Sequence, residues 1–464
     1  MAQGATPVHP YVPNSAPETK AEMLRAIGVD SVDEFFSVIP EKLRMQRPLD
    51  LPPALAAEAE LERHVNRLLG KNTPVTQAVS FLGSGCYPHH VPAVCDEINT
   101  RAEFLTAYAG EPYEDHGKWQ AIFEYTSLMA ELLEMDVVNV PTYDGYQAAA
   151  TAIRMAGRVT SRSRVIVTDL LAVGKRDKIE TFLDGAMEID FVSPRAETGR
   201  LHAEDVRALI GPDTAAVFIE TPNLYGVIEA EAREIAELAH ANGSVVVCST
   251  DPISLGFTEA PATWGADIVC GDIQSLGIGM HYGGANGGFI ATHDDEHFVF
   301  EYPSRLFGLA PTRVEGEIGF CDVAYERTSL AMREEGIEWV GTAAALWGIT
   351  AGAYLALMGP TGMQQLGDTV AVRTREAMTA LAAIPGVEVL HADSPHWREF
   401  AVRFPGRSVD DVNAALLERG VFGGASAQTV FGRGDADTAV YCITELHTSS
   451  DIAELADALK EILA

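Results

Sequence analysis

Three short stretches of this sequence place polar groups where a small molecule could be held. In "VPTYDGYQAAATAIRMA", the turn from Tyr143 to Gln147 precedes a helical pattern, and the free N–H groups at a helix start attract phosphate. In "SVVVCSTDPISLG", Asp251 ends an apolar strand, so its carboxylate could pair with a cationic nitrogen. In "GADIVCGDIQSLGIGMHYGG", Gln274 follows Asp251 by 23 residues, and its amide cannot form an imine. Taken singly, the first two also fit plain structure, with Asp144 and Asp251 each capping a turn.

The three stretches together resemble the cofactor site of fold-type I pyridoxal-phosphate enzymes. The resemblance implies that Asp251 pairs with the pyridine nitrogen and that the Schiff-base lysine belongs where Gln274 stands. The lysines are Lys20, Lys42, Lys71, Lys118, Lys175, Lys178 and Lys460. None lies between residues 179 and 459, so we expect no nearby substitute. We therefore expect a vestigial site that does not hold the cofactor covalently, made of Tyr143, Asp144, Gly145, Asp251, Gln274 and His281.

The whole chain resembles the α subunit, subunit 1, of the two-subunit bacterial glycine decarboxylase, the P-protein of the glycine cleavage system. Matching stretches run in order from "MLRAIGVDSVDEFFSVIP" through "FLGSGCYPHHVPAV", "FEYTSLMAELLEMDVVN" and "GADIVCGDIQSLGIGMHYGG" to "CITELHT". In that family a homologous β subunit supplies the lysine and the bound pyridoxal phosphate. The resemblance implies an α2β2 assembly, glycine as substrate and the lipoylated H-protein as a further partner. This chain alone is expected to be inactive.

Two segments depart from the family pattern near the expected active site. The first is "AGEPYEDHGKWQ" after "EFLTAY", and the second is "REEGIEWVGTAAALW", which keeps only a threonine of the family's later residues. We predict that Tyr108, Tyr113, Glu114, His116 and Thr342 face the live pocket shared with the partner. Loop drift explains such changes equally simply. A metal site is not expected, because His89, His90 and His281 lack an i, i+4 ligand pair or a cysteine cluster.

The pattern along the chain predicts an α/β fold in three segments. Residues 1–80 form an N-terminal helical arm, in which Ser31 and Glu34 are spaced as a capping box. Residues 81–325 alternate β-rich runs with helices, which is typical of a mostly parallel sheet covered on both faces. Residues 326–464 begin with an alanine-rich helical stretch and form a smaller C-terminal α/β domain. This arrangement matches the fold-type I pyridoxal-phosphate transferase class.

Composition excludes several classes of function. The chain has 464 residues with 33 basic against 66 acidic side chains, a formal charge of −33, and such a surface repels nucleic acids and anionic membranes. The six cysteines lack metal-ligand spacing and are expected to be small buried residues. We find no signal peptide and no apolar run of membrane-spanning length, so a cytoplasmic protein is expected.

Two alternatives to the glycine decarboxylase interpretation remain open at this point. The chain could belong to a paralogous pyridoxal-phosphate complex that acts on another small amino acid or amine without lipoyl transfer. It could also be a scaffold subunit that takes no part in catalysis and only stabilises its partner.

Overall fold

A computed structural model describes residues 8–47, 49–75, 77–105, 118–284, 286–322, 327–336 and 343–464. The chain divides into two compact units, Met1–Asn72 and Thr73–Ala464. The helices are α1 (Pro17–Ile27), α2 (Glu58–Leu69), α3 (Ala93–Thr100), α4 (Trp119–Leu133), α5 (Gly145–Thr160), α6 (Val173–Leu183), α7 (Ala203–Leu209), α8 (Ala232–Ala241), α9 (Glu296–Phe300), α10 (Ala345–Ala382), α11 (Val409–Leu417), α12 (Ala427–Phe431) and α13 (Ser449–Leu463).

The strands all lie in the second unit. They are β1 (Val79–Ser80), β2 (Val137–Val138), β3 (Arg164–Thr168), β4 (Glu188–Val192), β5 (Thr214–Glu220), β6 (Val245–Ser249), β7 (Ile268–Asp272), β8 (Gly288–Thr292), β9 (Phe307–Pro311), β10 (Ile318–Asp322), β11 (Glu388–Val389), β12 (Glu399–Arg403), β13 (Val421–Phe422), β14 (Ala425–Ser426) and β15 (Thr438–Cys442).

The first unit is helical. Its 3-10 helix Val32–Val38 begins with the predicted capping box, in which the Ser31 and Glu34 side chains satisfy each other's backbone N–H groups. No residue of the helices in this unit is buried. The described part of the unit therefore has no core of its own, and its apolar side chains remain open to another surface.

The second unit is built on a seven-stranded sheet with the order β2-β8-β7-β6-β5-β3-β4. Strands β3 to β7 pair in parallel, whereas β8 pairs antiparallel with both β7 and β2. This confirms the predicted mostly parallel α/β sheet. Because β5, β6 and β7 are parallel neighbours, the residues that follow their carboxyl ends meet at one edge of the sheet.

Both faces of this sheet are buried. Alternate residues of β6 enter different cores: Val246 and Cys248 pack with residues of α4, α8 and α10, whereas Val245 and Val247 pack with residues of α5 and α6. Two-sided burial explains why the strand reads as an unbroken apolar run.

The C-terminal part carries a four-stranded antiparallel sheet with the order β11-β12-β15-β14. It is covered by residues of α11 and α13 in a separate core. The alanine-rich stretch forms α10, which is broken at Gly359, a residue with φ of 58° directly before Pro360. Strand β1 pairs in parallel with β13, so the start of the second unit is joined to its end. The finer division of this unit at residue 325 stays a prediction.

The cysteines are free thiols. All six were predicted to be buried. Cys95, Cys248, Cys270 and Cys442 are buried, whereas Cys86 and Cys321 are half-buried. Among the described residues, no helix combines the length and apolarity needed to cross a membrane. The same residues contain no group of three or more His, Cys, Asp or Glu side chains arranged to hold a metal ion.

Candidate active site

A cavity of about 370 Å³ lies at the carboxyl edge of β5, β6 and β7. Five of the six residues predicted for the vestigial site line it: Tyr143, Asp144, Gly145, Asp251 and Gln274. His281 is outside this lining and stacks on Trp347, with ring centroids 5.2 Å apart. The predicted live-pocket residues Tyr108, Tyr113, Glu114, His116 and Thr342 lie outside the described residues.

Gln274 is buried, and its amide clamps the backbone of Tyr87. Its Oε1 accepts a hydrogen bond from the Tyr87 N–H at 3.0 Å, and its Nε2 donates to the Tyr87 carbonyl at 3.1 Å. The same Nε2 donates to the Ile278 carbonyl at 2.9 Å. Both polar atoms of the side chain are therefore engaged in holding the backbone of Tyr87 and Ile278.

Asp251 is engaged by the protein itself. One oxygen accepts from the Ile253 N–H at 2.9 Å, and the other forms an ion pair with the guanidinium of Arg398. Arg398 is buried, directly precedes β12, and lies over the Tyr87 ring at 4.1 Å. The carboxylate that the sequence suggests for a pyridine nitrogen thus has a permanent cationic partner.

The Arg398 guanidinium extends this contact into a buried network. Its second terminal nitrogen lies 2.8 Å from Nε2 of His89, whose Nδ1 lies 2.6 Å from a carboxylate oxygen of Glu445. Burial and the neighbouring Arg398 charge lower the pKa of His89. The neutral ring therefore accepts from Arg398 and donates to Glu445. The pair His89 and Glu445 thereby anchors Arg398 in place.

Two N–H groups in the first turn of α5, those of Gly145 and Gln147, are occupied by side chains. The Asp144 carboxylate accepts from the Gln147 N–H at 2.6 Å, and the Asp272 carboxylate accepts from the Gly145 N–H at 2.8 Å. Asp272 also accepts from the Gln274 N–H at 2.8 Å. Burial outweighs these bonds and raises the pKa of Asp272 to about 7. Sequence reasoning did not select Asp272, although it directly ends β7.

Lys175 corrects the expectation that no lysine lies near this site. It is buried on α6, lines the cavity, and places its Nζ 2.5 Å from Glu220 and 2.7 Å from the Ser249 hydroxyl. Its position shortly after β3 was the missed signal, because residues that follow parallel strands gather at one edge. As an ion-paired ammonium it is not poised to form an imine.

Glu399 was also not predicted from the sequence, and it binds the segment from Ser84 to His90 that contains Tyr87. Its carboxylate accepts from the Ser84 N–H at 2.6 Å and from the Tyr87 hydroxyl at 3.1 Å. Burial raises its pKa to about 7. The segment from Ser84 to His90 is thus tied to Gln274, Arg398, Glu399 and Glu445, which lie far from it in sequence.

The parallel sheet, the helix start at its carboxyl edge and the cavity between them define the fold-type I class of pyridoxal-phosphate enzymes. Two solved structures show the fold: a NifS-like protein from Rickettsia africae, with a TM-score of 0.61 and 12% identity over 83% of this chain and 99% of its own, and a sphingosine-1-phosphate lyase from Burkholderia pseudomallei, with a TM-score of 0.63 and 15% identity over 90% and 92%.

The family is narrower than this class. The family model described as "Glycine cleavage system P-protein" matches residues 9–459. The chain therefore belongs to that family. A relative from Staphylothermus marinus, "Probable glycine dehydrogenase (decarboxylating) subunit 1", is 36% identical over 98% of both chains. A protein of the same name from Desulforamulus reducens is 35% identical over 97% of this chain and 99% of its own.

A solved structure of glycine decarboxylase (P-protein) in inhibitor-bound form is also similar. It superposes with a TM-score of 0.84 and 32% identity, over 98% of this chain and 100% of its own. The predicted resemblance to the P-protein is thereby confirmed across almost the whole sequence.

Pyridoxal phosphate is the cofactor expected of this family, but the cavity of this chain does not fit it. Two of the N–H groups at the start of α5, those of Gln147 and Gly145, already bind the carboxylates of Asp144 and Asp272. The carboxylate that would hold a protonated ring nitrogen is paired with Arg398, and the lining lysine is paired with Glu220. No reaction step is therefore assigned to a cofactor in this cavity.

Proposed function

We propose that this chain is the lysine-free subunit of a heteromeric glycine decarboxylase, and that a homologous partner subunit supplies the pyridoxal-phosphate lysine. The observation that carries the proposal is Gln274, whose amide is fully used in holding Tyr87 at the place where the cofactor's lysine would stand. The name "subunit 1" of the relatives supports a partner-dependent enzyme.

In this proposal the chain supplies walls to an active site whose cofactor is held by the partner. The substrate is glycine, the complex is α2β2, and a lipoylated H-protein receives the aminomethyl group. The pocket-facing candidates remain Tyr108, Tyr113, Glu114, His116 and Thr342.

The first unit supports a large interface with the partner. Its helices bury none of their residues, and its exposed apolar side chains include Phe35, Phe36 and Leu43. Obligate interfaces are apolar and bury about 2,000 Å² or more. We infer that the partner subunit covers part of this surface.

The proposal is tested by producing the chain together with its lysine-bearing partner. We expect an α2β2 complex by size-exclusion with light scattering, a glycine-dependent spectral change, and exchange of labelled bicarbonate into glycine that needs lipoylated H-protein. Unlipoylated H-protein is the matched control. A monodisperse chain that ignores the partner would contradict the proposal, and exchange with another amino acid but not with glycine would favour the paralogue.

A further inference from the structure

We propose that the cavity of this chain is completed by its own side chains, with Asp272 in place of a bound phosphate and Arg398 in place of a cationic ring nitrogen, so that it rejects phosphate esters. The inference deepens the proposed function, because it gives a reason why only the partner would carry the cofactor. It concerns ligand binding by this chain and is tested without turnover.

The place of the phosphate is filled at the start of α5. The Asp272 carboxylate bridges two backbone donors, the N–H groups of Gly145 and Gln274, at 2.8 Å each. The contact is close, since a Cβ at residue 145 would lie 2.9 Å from the Cβ of Asp272. A second carboxylate, that of Asp144, takes the Gln147 N–H. A phosphate would have to displace one carboxylate and approach another, and like charges in a buried site repel strongly.

The position expected for the ring nitrogen is also occupied, by the guanidinium of Arg398. A protonated pyridine would need a free carboxylate at Asp251, but the Arg398 guanidinium already neutralises it. Arg398 is held by stacking on Tyr87 and by its contact with His89. It carries a left-handed backbone with φ of 67°, a conformation that non-glycine residues adopt at a cost and that tertiary contacts must maintain. Removing this cation from Asp251 would leave the buried guanidinium without its carboxylate partner.

The net negative charge of the described cavity lining agrees with the proposed rejection of phosphate esters. It contains four carboxylates, those of Asp144, Glu220, Asp251 and Asp272, against the single ammonium of Lys175. An anionic phosphate ester gains nothing from such a lining. Restoring a lysine at position 274 therefore does not restore a cofactor site, because the Asp272 carboxylate still occupies the position of the phosphate.

The test uses the co-purified complex at pH 8, above the pKa of about 7 at which the Asp272 carboxyl ionises. Four forms are compared: wild type, Gln274→Lys, Asp272→Ser with Gln274→Lys, and Asp410→Ser with Gln274→Lys. Asp410 is an exposed aspartate in the first turn of α11 and serves as the matched control. Each form is incubated with pyridoxal 5′-phosphate, reduced with borohydride, and digested, so that mass spectrometry reports adducts separately for each subunit.

We expect no adduct on the α5, α6 or β7 peptides of wild type, and at most a trace at position 274 in Gln274→Lys and in the Asp410 control. The Asp272→Ser double variant should give at least tenfold more adduct at position 274. A stoichiometric adduct in Gln274→Lys alone, or one on Lys175 in wild type, would overturn the proposal.

A second variant keeps the test decisive if the Asp272→Ser variant does not fold. Asp272→Asn with Gln274→Lys keeps the side-chain size and removes the charge, and thermal melting identifies folded samples. It should exceed Gln274→Lys in adduct yield, whereas an equal yield from a folded sample refutes the role of Asp272. Adduct on the partner subunit reports on the proposed function separately, since its absence leaves the result at position 274 unchanged.

Discussion

The hydrogen bonds of Gln274 predict how much local stability Gln274→Ala removes. The substitution deletes three bonds to Tyr87 and Ile278, and leaves a backbone donor and two carbonyls without their partners. At about 0.5–1.5 kcal/mol for each hydrogen bond, we expect a loss of about 2–3 kcal/mol in the free energy of local opening. Gln274→Glu should cost as much or more, because it places a carboxylate against the two carbonyl oxygens and near Asp272.

Hydrogen exchange measures this loss where it occurs. A chain of this size does not unfold in two states, so a global midpoint would dilute a local effect. Because 1.4 kcal/mol corresponds to about tenfold, peptides covering residues 83–90 should exchange about 30-fold faster or more in Gln274→Ala. Gln365→Ala, on the exposed side of α10, is the control and should change nothing. Equal exchange in the two variants would refute the clamp.

Three further predictions concern Lys175, Asp272 and the first unit. Lys175→Met leaves Glu220 unpaired beside the cavity and should lower stability by about 3–5 kcal/mol, whereas Lys175→Met with Glu220→Gln should recover part of the loss in thermal melting. Burial raises the folded-state pKa of Asp272 from its ordinary 3.8 to about 7, so this carboxyl contributes stability that is present below pH 4 and lost as the pH rises through 7. Asp272→Asn should therefore flatten the fall in melting temperature between pH 5 and 7, and an unchanged slope would contradict this assignment. Deleting residues 1–72 should leave the second unit folded, because no described residue of its cores lies before 79, but should weaken association with the partner at least tenfold in a pull-down titration.

The sheet and part of the cavity were predictable because they depend on local patterns. The apolar runs at β5, β6 and β7 identify parallel strands, and Asp251 and Gln274 follow two of those strands at a known edge. Long-range partners were not predictable in this way. Arg398 meets Asp251 across 147 residues, and Tyr87 meets Gln274 across 187, and no periodicity encodes such a pairing.

Lys175 shows a different reason for a missed residue. Its place after β3 is visible in the sequence, but the spacing from Asp251 points to position 274 and not to residue 175. The structure shows that a lysine from the helix after β3 reaches the same edge, where it is paired with Glu220. Proximity along the chain was thus a poor guide to proximity in the site.

The joining of the segment from β1 to His90 with the end of the chain has a consequence for synthesis. The His90 N–H finds its partner Glu445 only 355 residues later, which at about 5–20 residues per second is a wait of about 20–70 s on the ribosome. For most of that interval Phe81 and Tyr87 have been translated, while the β12 and β15 residues that contact them have not. One wall of the cavity therefore lacks its contacts until β12 and β15 have been translated, and the nascent chain exposes Phe81 and Tyr87 until then.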